Sequence, residues 1–528
     1  MVKSCEFRRL ETHHRPDLET QLTLSLSLAD SYRFRQASNF FYLTGFCEPD
    51  SALVLEKVAS SPRGFKMTLF VPPRDAGYES WNGPRTGIDG AVDIFGADEG
   101  KELDAEGRNL LNYLKAVLPD ASRIYHDPSL PPTIPRKAAR GTFLASPSPP
   151  SLLNYLSPLS PGPLDLFSKK SDFETVTKLL ADTRRCVDIG PILDSHRLIK
   201  APSELRLLRR AGQIAGLAHN STMRFSNTSL SHSEWNLQAH FEYASALLGA
   251  NRPAYVPVVA SGDRGCVIHY TDNDRPLSSG SAPSPHSGQP ARGDLLTMDA
   301  GVEYAGYTSD ITRAWPIAPR SGSPSQDRRI VFSSAQQDLY SALLRVLKNC
   351  TQLAVACNGY SLSSLHRRSV ELLLVELRDL GFDLGLGDLE RVLYPHYLGH
   401  FLGLDLHDTP SVSRSSPLKA GTVITIEPGL YIPSEEQMSK SAISLNSKIP
   451  KAFRGIGLRI EDDVAVGEST NVILSQEAVK EIPDVLRACE GWEASDVAGS
   501  AGKVGRRGFF GVETERYVEG ILPQGFHP

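Results

Sequence analysis

The stretch from Asp294 to Pro316, DLLTMDAGVEYAGYTSDITRAWP, carries the pattern that decides the fold of the larger part of this chain. Its alternation of apolar and polar residues, punctuated by glycine, predicts two strands joined near Tyr304–Ala305. In a hairpin symmetric about that point, Asp299 and Asp310 face each other, about 4.5–5.5 Å apart at Cβ. Because like charges in such a pair repel, the pattern favours a cation between the two carboxylates.

Two further acids follow on segments that have the pattern of strands. The run TVITIE ends at Glu427, immediately before a Pro-Gly pair. The run IGLRIEDDVAV carries Glu461, and Arg459 stands two residues earlier, hence on the same face of a strand. These two segments add two carboxylates to the aspartate pair as candidate metal ligands.

Histidines lie between these acids in the sequence. His396 and His400 are four residues apart in HYLGH, and His407 follows in GLDLHD. The spacing of the first two is also that of a zinc-protease pair, but Tyr397 stands where that signature requires glutamate, so alone the pair is more often structural. Four carboxylates with one imidazole make a hard, mostly oxygen site, which favours Mn²⁺, with Co²⁺ or Zn²⁺ as alternatives. Two such ions, about 3.5–4 Å apart, could hold and activate a hydroxide between them.

Length and composition limit the classes of protein to consider. The chain has 528 residues and a formal net charge of −5, so we expect two or three domains and no nucleic-acid partner. Its seven cysteines include no C-x-x-C pair, which indicates reduced thiols in an intracellular compartment. No stretch approaches the roughly 20 continuous apolar residues that a membrane helix needs. The first twenty residues mix basic with acidic side chains and so do not form a clear targeting presequence.

The domain organisation follows from changes in composition and periodicity. Short apolar runs at 40–43, 52–56 and 67–71 predict strands, and the spacing within 102–117 predicts a helix, which together are typical of a small α/β domain. Pro202 opens a long helical pattern, because proline is tolerated in a first helical turn. We therefore divide the chain into an N-terminal segment of uncertain type (1–31), an α/β domain (32–171), a junction (172–200), a larger domain (201–484) and a tail (485–528). Stretches rich in Ser and Pro or of low complexity lie at 145–163 and 278–292, and the tail is predicted to be disordered.

Five motifs together resemble the pita-bread metallopeptidases, the family of aminopeptidase P, prolidase and methionine aminopeptidase. In chain order they are ASGDRGCVIHYTDND with His269, MDAG-x7-SDITR, HYLGHFLGLDLHD, TIEPGLY and GLRIEDD. The resemblance spans about residues 32–484 and implies an α/β (α+β) protein. It would have an N-terminal ribonuclease H-like mixed-sheet domain and a C-terminal pita-bread catalytic domain.

The resemblance also implies roles for individual residues. Asp299 would ligate one metal alone, Asp310 and Glu461 would bridge both metals, and His400 would complete the shell of the other. Glu427 resembles the ligand that also exchanges a proton with the bridging hydroxide. The remaining matches are groups that do not bind metal. His269, His396 and His407 would position the substrate and stabilise the tetrahedral intermediate. Arg459 would help to keep the carboxylate of Glu461 ionised.

The N-terminal runs FRQASNFFYLTGFCEPDSALVLEK and LFVPPRDAGYESWNGPRTGIDGA resemble the mitochondrial branch of aminopeptidase P. This implies a homodimeric aminopeptidase with two Mn²⁺ ions that removes the N-terminal residue from peptides or processed mitochondrial proteins. It also implies a mitochondrial location, with the cytoplasm as the alternative. An Xaa-Pro aminopeptidase or prolidase acting on small proline peptides stays open as an alternative, as does a non-catalytic pita-bread binding protein. Three segments depart from the family pattern: residues 1–31, the insert 278–292 and a longer loop at 437–449.

Overall fold

The computed structural model describes residues 9–12, 33–127, 172–180, 184–228, 230–277, 294–318, 330–440, 445 and 447–490. The chain divides into two compact units, residues 1–193 and 194–528. The stretches at 145–163 and 278–292 and the tail beyond Glu490 lie outside the described residues. In the described part of the chain, no helix combines the length and apolar character needed to cross a bilayer.

The first unit contains a six-stranded mixed sheet, as predicted. Its order is β4-β3-β2-β1-β5-β6, with β1 antiparallel to β2 and parallel to β5. The segment 1–31 thus supplies a central strand, although its four residues RLET show no apolar run that would predict one. The strands are β1 (Arg9–Thr12), β2 (Ala52–Lys57), β3 (Phe65–Val71), β4 (Glu99–Glu102), β5 (Ile124–His126) and β6 (Cys186–Asp188).

Helices cover both faces of this sheet, because alternate residues of β2 and β3 are apolar on each side. Val54 and Phe70 pack in one core with residues such as Leu110 and Phe173, whereas Leu53 belongs to a second core on the other face. The helices are α1 (Ser38–Thr44), α2 (Ala76–Asn82), α3 (Gly87–Asp93), α4 (Arg108–Val117), α5 (Asp172–Leu180) and α6 (Gly190–Arg197). Helices α1 to α5 belong to the first unit, and α6 crosses the boundary after residue 193.

One predicted strand, residues 40–43, is wrong, because these residues lie in helix α1. Phe40 is fully buried, and the helix ends at Gly45, whose φ of 69° is the left-handed conformation typical of a helix C-terminus. A four-residue apolar run has no periodicity that separates a buried strand from a buried helix. The predicted strands at 52–56 and 67–71 are confirmed in β2 and β3.

The second unit begins with the long helix that Pro202 predicts. Leu205, Leu208, Ala211, Ile214 and Ala218, which recur at helical spacing, are all buried. The helices are α7 (Pro202–Ser226), α8 (Glu234–Leu247), α9 (Ser334–Leu353), α10 (Leu362–Asp379), α11 (Leu386–Asp388), α12 (Glu435–Lys440) and α13 (Ile482–Cys489), with a π-helical turn at Leu389–Leu393 and 3₁₀ turns at Gly262–Cys266, Ala356–Asn358 and Lys451–Phe453.

Short antiparallel strands make up the rest of the second unit. They form sheets of order β11-β10-β7, β12-β9-β8, β13-β16-β17 and β14-β15. The backbone N–H of Glu461, between β15 and β16, donates to the carbonyl of Thr312 in β12. The strands are β7 (Arg252–Pro253), β8 (Val258–Ser261), β9 (Leu295–Asp299), β10 (Val302–Tyr304), β11 (Tyr307–Thr308), β12 (Thr312–Pro316), β13 (Val423–Ile426), β14 (Gly429–Tyr431), β15 (Gly457–Arg459), β16 (Asp462–Val466) and β17 (Asn471–Ile473).

Candidate metal centre

The five predicted metal ligands all stand at or beside the ends of strands in the second unit. Asp299 ends β9, and Asp310 lies between β11 and β12. Glu427 follows β13 directly, and Glu461 is the second of the two residues between β15 and β16. His400 precedes the residue that bridges to β13. These positions lie next to one another in the second unit, so their side chains can point into one site.

The hairpin that carries the two aspartates has a different register from the predicted one. Asp299 is paired with Thr312 and not with Asp310, so the predicted direct opposition is wrong. The reason is the turn, which falls at Ala305–Gly306, with φ of 49° and 86°, one residue later than predicted. This two-residue turn with both φ positive matches the twist of a hairpin. The two aspartates are therefore diagonal neighbours.

A tyrosine that the sequence analysis missed joins the two aspartates. The hydroxyl of Tyr255 is within hydrogen-bonding distance of Oδ1 of Asp299 and, at 2.6 Å, of Oδ1 of Asp310. Burial and the two adjacent negative charges raise the pKa of Tyr255 well above its usual value, so it remains a donor. Tyr255 lies just before β8 in YVPVV, where no motif distinguishes it from a core aromatic residue.

A metal could be held most directly by Asp310, His400 and Glu461. One ligand atom from each of these side chains lies within 4.8 Å of the other two. Nε2 of His400 is 3.2 Å from Oδ2 of Asp310 and 3.7 Å from Oε1 of Glu427. Nδ1 of the same ring lies 3.0 Å from the carbonyl of Phe401, which directs Nε2 towards the carboxylates.

Close backbone packing fixes this histidine. A side chain at Gly399 would place its Cβ 2.0 Å from the carbonyl oxygen of Thr425, so only glycine fits there. The resulting contact lets the backbone N–H of His400 donate to Oγ1 of Thr425 at 3.0 Å. The same hydroxyl lies 3.3 Å from Oε1 of Glu427. One threonine thus holds two predicted ligands on neighbouring segments.

Arg459 is a buried cation of the site, and its side chain is 4% exposed. Its guanidinium donates to Oδ2 of Asp299, to the hydroxyl of Tyr431 and, at 2.9 Å, to Oγ1 of Thr312. Thr312 in turn donates to Oε2 of Glu461 at 2.6 Å. The predicted proximity of Arg459 to Glu461 is seen as a distance of 4.0 Å from Nε to Oε2.

The charges of the site are unbalanced without a bound cation. Burial, followed by repulsion from the other acids, raises the pKa of Glu461 well above its usual value. Burial also raises the pKa of Asp299, and it raises that of Glu427 to about 7. Although burial lowers it, the contact with Asp310 and the charge of Glu427 raise the pKa of His400 to about 9. Four buried carboxylates that repel one another are a donor set into which a divalent cation fits.

Two buried acids that follow Glu461 contact residues around the site, and the sequence analysis did not predict these contacts. Asp463 accepts the backbone N–H of Asp310 with both oxygens, at 3.1 and 3.2 Å. Asp462 is paired with Arg313, at 2.7 Å, and with Lys480. The sequence does show the run Glu-Asp-Asp, but the alternation of a strand does not reveal which acids turn inwards when all three are buried.

The three predicted non-ligand histidines differ in their surroundings. His396 is half-buried, with Nδ1 3.7 Å from Oε2 of Glu427 and Nε2 2.9 Å from the hydroxyl of Tyr431. Burial, and then the charge of Arg459, lowers its pKa to about 3, so the ring is neutral. His407 is exposed, and its ring centre is 4.4 Å from that of His400. His269 is exposed as well, near enough to His396 and His407 to affect them electrostatically.

A buried ionic cluster anchors the loop that carries His407. The next residue, Asp408, is 4% exposed and accepts from Nη2 of Arg197 and, at 3.0 Å, from Nζ of Lys200. The same guanidinium donates to Asp405 at 2.8 Å. Both cations come from residues that the sequence analysis assigned only to a junction.

Comparison with known proteins agrees with this geometry. The sequence model of metallopeptidase family M24 matches residues 206–468, and that of the aminopeptidase P N-terminal domain matches residues 18–125. The second match begins inside the segment 1–31. Intermediate cleaving peptidase 55 of Saccharomyces cerevisiae is 38% identical over 456 residues, which cover 86% of this chain and 76% of that protein. Human Xaa-Pro aminopeptidase 3 is 33% identical over 465 residues, covering 87% and 77% respectively.

Solved structures give the same result for the fold. The crystal structure of the yeast peptidase lacking 58 N-terminal residues has a TM-score of 0.67 at 34% identity and covers 91% of this chain and 92% of its own. Escherichia coli aminopeptidase P with the inhibitor Pro-Leu has a TM-score of 0.65 at 28% identity, covering 92% and 95%. The predicted α/β architecture, a mixed-sheet N-terminal domain followed by a pita-bread domain, is thereby confirmed. The chain belongs to metallopeptidase family M24 and is a metal-dependent aminopeptidase of the aminopeptidase P type.

Proposed function

We propose that this chain is a two-metal aminopeptidase, served by Mn²⁺, that removes the N-terminal residue from peptides or from processed mitochondrial proteins. The observation that carries the proposal is the convergence of Asp310, His400 and Glu461, with Asp299 and Glu427 beside them. When bound there, divalent ions would polarise the first peptide carbonyl and increase the acidity of the attacking water. Oxygen-rich ligands favour Mn²⁺, with Co²⁺ or Zn²⁺ as alternatives.

The protein side chains supply the proton transfers and the positioning. Glu427, whose pKa lies near 7 before a metal binds, is suited to take a proton from the water and pass it to the leaving amine. His396 and His269 would donate to the oxyanion that forms at the attacked carbonyl, which requires the His396 ring to exchange one of its present partners, the carbonyl of Tyr397 or the hydroxyl of Tyr431. His407, which is exposed beside the ring of His400, would contact the substrate. Arg459 holds Asp299 in place and balances part of its charge.

The variant Glu427→Gln tests this assignment. It keeps the shape of the side chain but removes the proton acceptor, so we expect normal folding and turnover reduced at least about a thousandfold. Thr425→Val separates the orientation of Glu427 from its role in proton transfer, because it removes only the hydroxyl that contacts Glu427 and His400. Substantial turnover by a metal-replete Gln variant would contradict the role of Glu427.

A second candidate, cleavage restricted to Xaa-Pro bonds, is favoured by the names of relatives such as Xaa-Pro aminopeptidase 3. Paired peptides that differ only in alanine or proline at the second position separate the candidates. Similar release from both peptides supports general N-terminal processing, and release from the proline peptide alone supports the second candidate. A non-catalytic binding protein would be expected to have lost ligands, and all five are present in this sequence.

Cell location and assembly complete the proposal. We propose a mitochondrial location for an enzyme that acts on processed proteins, and a homodimer, because the motifs resemble the mitochondrial branch of aminopeptidase P. Profiling of mitochondrial protein N-termini with and without this chain tests the role directly. N-termini longer by one residue in its absence would support the processing function, and unchanged N-termini would contradict it.

A further inference from the structure

The segment that carries His269 is held in place by its neighbours. It follows β8, begins with the 3₁₀ turn Gly262–Cys266 and continues to residue 277 as an irregular connection. His269 is exposed on this connection. The position of its ring therefore depends on the contacts that fix the segment.

A buried carboxylate, that of Glu234, lies against this segment. Glu234 is the first residue of α8 and is 0% exposed. Its Oε1 accepts the backbone N–H of Ser261 at 2.9 Å and Nε of Arg264 at 2.8 Å. Its Oε2 accepts the hydroxyl of Tyr270 at 2.8 Å. One side chain thus joins the end of β8 and the turn to the residue that directly follows His269.

The same helix holds the later part of the segment. The backbone N–H of Glu234 donates to the carbonyl of Arg275 at 3.0 Å. The side-chain amide of Asn273, a residue that is 1% exposed, donates to Oε1 of Gln238 at 2.9 Å and to the carbonyl of Pro257 at 2.7 Å. Because Glu234 and Gln238 are one turn apart, the first half of α8 is a scaffold for the segment.

A strand of the metal centre is the second support of the segment. A Cβ at Gly265 would lie 2.7 Å from the carbonyl oxygen of Gly457, and a Cβ at Gly457 would lie 2.1 Å from the carbonyl oxygen of Gly265. Gly457 begins β15, which ends at Arg459. The segment is thus packed against both α8 and β15, so a change in either support would displace His269 relative to the metal centre.

Stability alone does not account for a carboxylate at position 234. Removing a charge from water is costly, and apolar residues in place of a buried ion pair often leave the stability of a protein unchanged or raise it. The carboxylate adds direction, because it accepts from donors at three points of the chain. Burial, together with the contact with Glu234, raises the pKa of Tyr270, so its hydroxyl remains a donor. An apolar side chain could fill the same space but would not orient Tyr270.

We propose that Glu234 is a positioning residue of the reaction, which holds His269, through the hydroxyl of Tyr270, where the ring can donate to the oxyanion. This inference rests on the proposed aminopeptidase function, in which His269 contacts the attacked carbonyl. Glu234 itself then touches neither metal nor substrate. Because the oxyanion forms only in the transition state, loss of this support should lower kcat and leave KM nearly unchanged.

The test measures kcat and KM for release of the first residue from an unblocked peptide by the full-length, metal-replete protein. Tyr270→Phe keeps the buried ring and removes the hydroxyl, and Glu234→Gln keeps the shape and removes the charge. In each we expect kcat to fall about 10- to 100-fold, the scale on which a small displacement of a catalytic group slows a reaction. In a His269→Ala background neither substitution should lower kcat further. Glu477→Gln is the matched control, because it removes another buried carboxylate of the same unit from its pair with Arg209, and it should leave kcat unchanged.

The possible results separate this inference from the proposed function. A loss of kcat in Tyr270→Phe that disappears in the His269→Ala background supports the positioning role. If the wild type releases no residue, the proposed aminopeptidase function fails, and the positioning role fails with it. If the wild type is active but Tyr270→Phe keeps its kcat, or if its loss multiplies with that of His269→Ala, the aminopeptidase function stands and Glu234 is not a positioning residue. The same conclusion follows if His269→Ala keeps the wild-type kcat. Should Glu234→Gln fail to fold, Tyr270→Phe decides, because it leaves the carboxylate and its other two partners in place.

Discussion

The pKa of Glu427 leads to a quantitative prediction about the metal-free protein. Burial and the nearby aspartates raise this pKa from 4.5 to about 7. Because the folded state holds the proton more tightly than the unfolded state, Glu427 stabilises the fold fully only below its unfolded pKa. That stabilisation is lost as the pH rises through 7. For this shift, the loss between about pH 5 and pH 8 is about 2 to 3 kcal/mol.

The perturbation is Glu427→Gln, which removes the titrating group but keeps its shape. The assay is thermal unfolding of chelator-treated wild type and variant across this pH range, and the quantity of interest is the difference in Tm between them. Relative to the variant, the wild type should lose about 3–5 °C from about pH 5 to pH 8, because an unfolding entropy of about 2 cal/mol/K per residue gives about 1.5 °C per kcal/mol for a unit of this length. The difference matters more than either curve, because buried neutral histidines such as His396 titrate in the opposite sense.

A control variant, Glu468→Gln, changes an exposed glutamate of the same unit and should follow the wild type at every pH. Bound metal should abolish the difference at high pH, because the cation then stabilises the charged carboxylate. A wild type that keeps a constant offset from Glu427→Gln across the range, without metal, would refute the electrostatic account of the site.

Three further predictions concern residues around the centre. Asp408→Asn, which weakens the anchor of the His407 loop, should lower kcat/KM about 10- to 100-fold, but should have no further effect in a His407→Ala background. Additive losses of kcat/KM in this double-mutant cycle would contradict a positioning role for Asp408. Gly301→Ala should destabilise the fold by about 4 kcal/mol or more in denaturant unfolding, because its Cβ would lie 1.8 Å from the carbonyl oxygen of Ser309. Tyr255→Phe should weaken metal binding about 10- to 100-fold in a competition titration, since the two bridged aspartates lose a shared donor; unchanged affinity would count against that bridge.

Much of the fold could be predicted from sequence because periodicity and turn chemistry are local. The helix after Pro202 and strands β2 and β3 follow from such patterns. The helix at Phe40 could not be predicted, because a short apolar run has no period. Nor could the strand Arg9–Thr12, which pairs on both sides with residues far along the chain and has no apolar run of its own.

The candidate site shows the same division. The two aspartates were found because facing carboxylates would repel, and the downstream motifs added the two glutamates and the histidine. The hairpin register was predicted wrongly, because a shift of the turn by one residue changes every pairing. Tyr255 and Asp463 act through tertiary hydrogen bonds to the aspartates, and such contacts leave no local pattern in the sequence.

The most direct test of the central claim measures first-residue release by the purified full-length chain, with its metal content determined in the same samples. We expect release of the first residue alone from an unblocked peptide, two divalent ions per chain, loss of both on chelation, and recovery of both with Mn²⁺. Asp310→Asn, which alters the ligand shared by Tyr255 and His400, should lose metal and activity together. Activity that survives chelation, or a chain that binds two ions and releases no residue, would contradict the account.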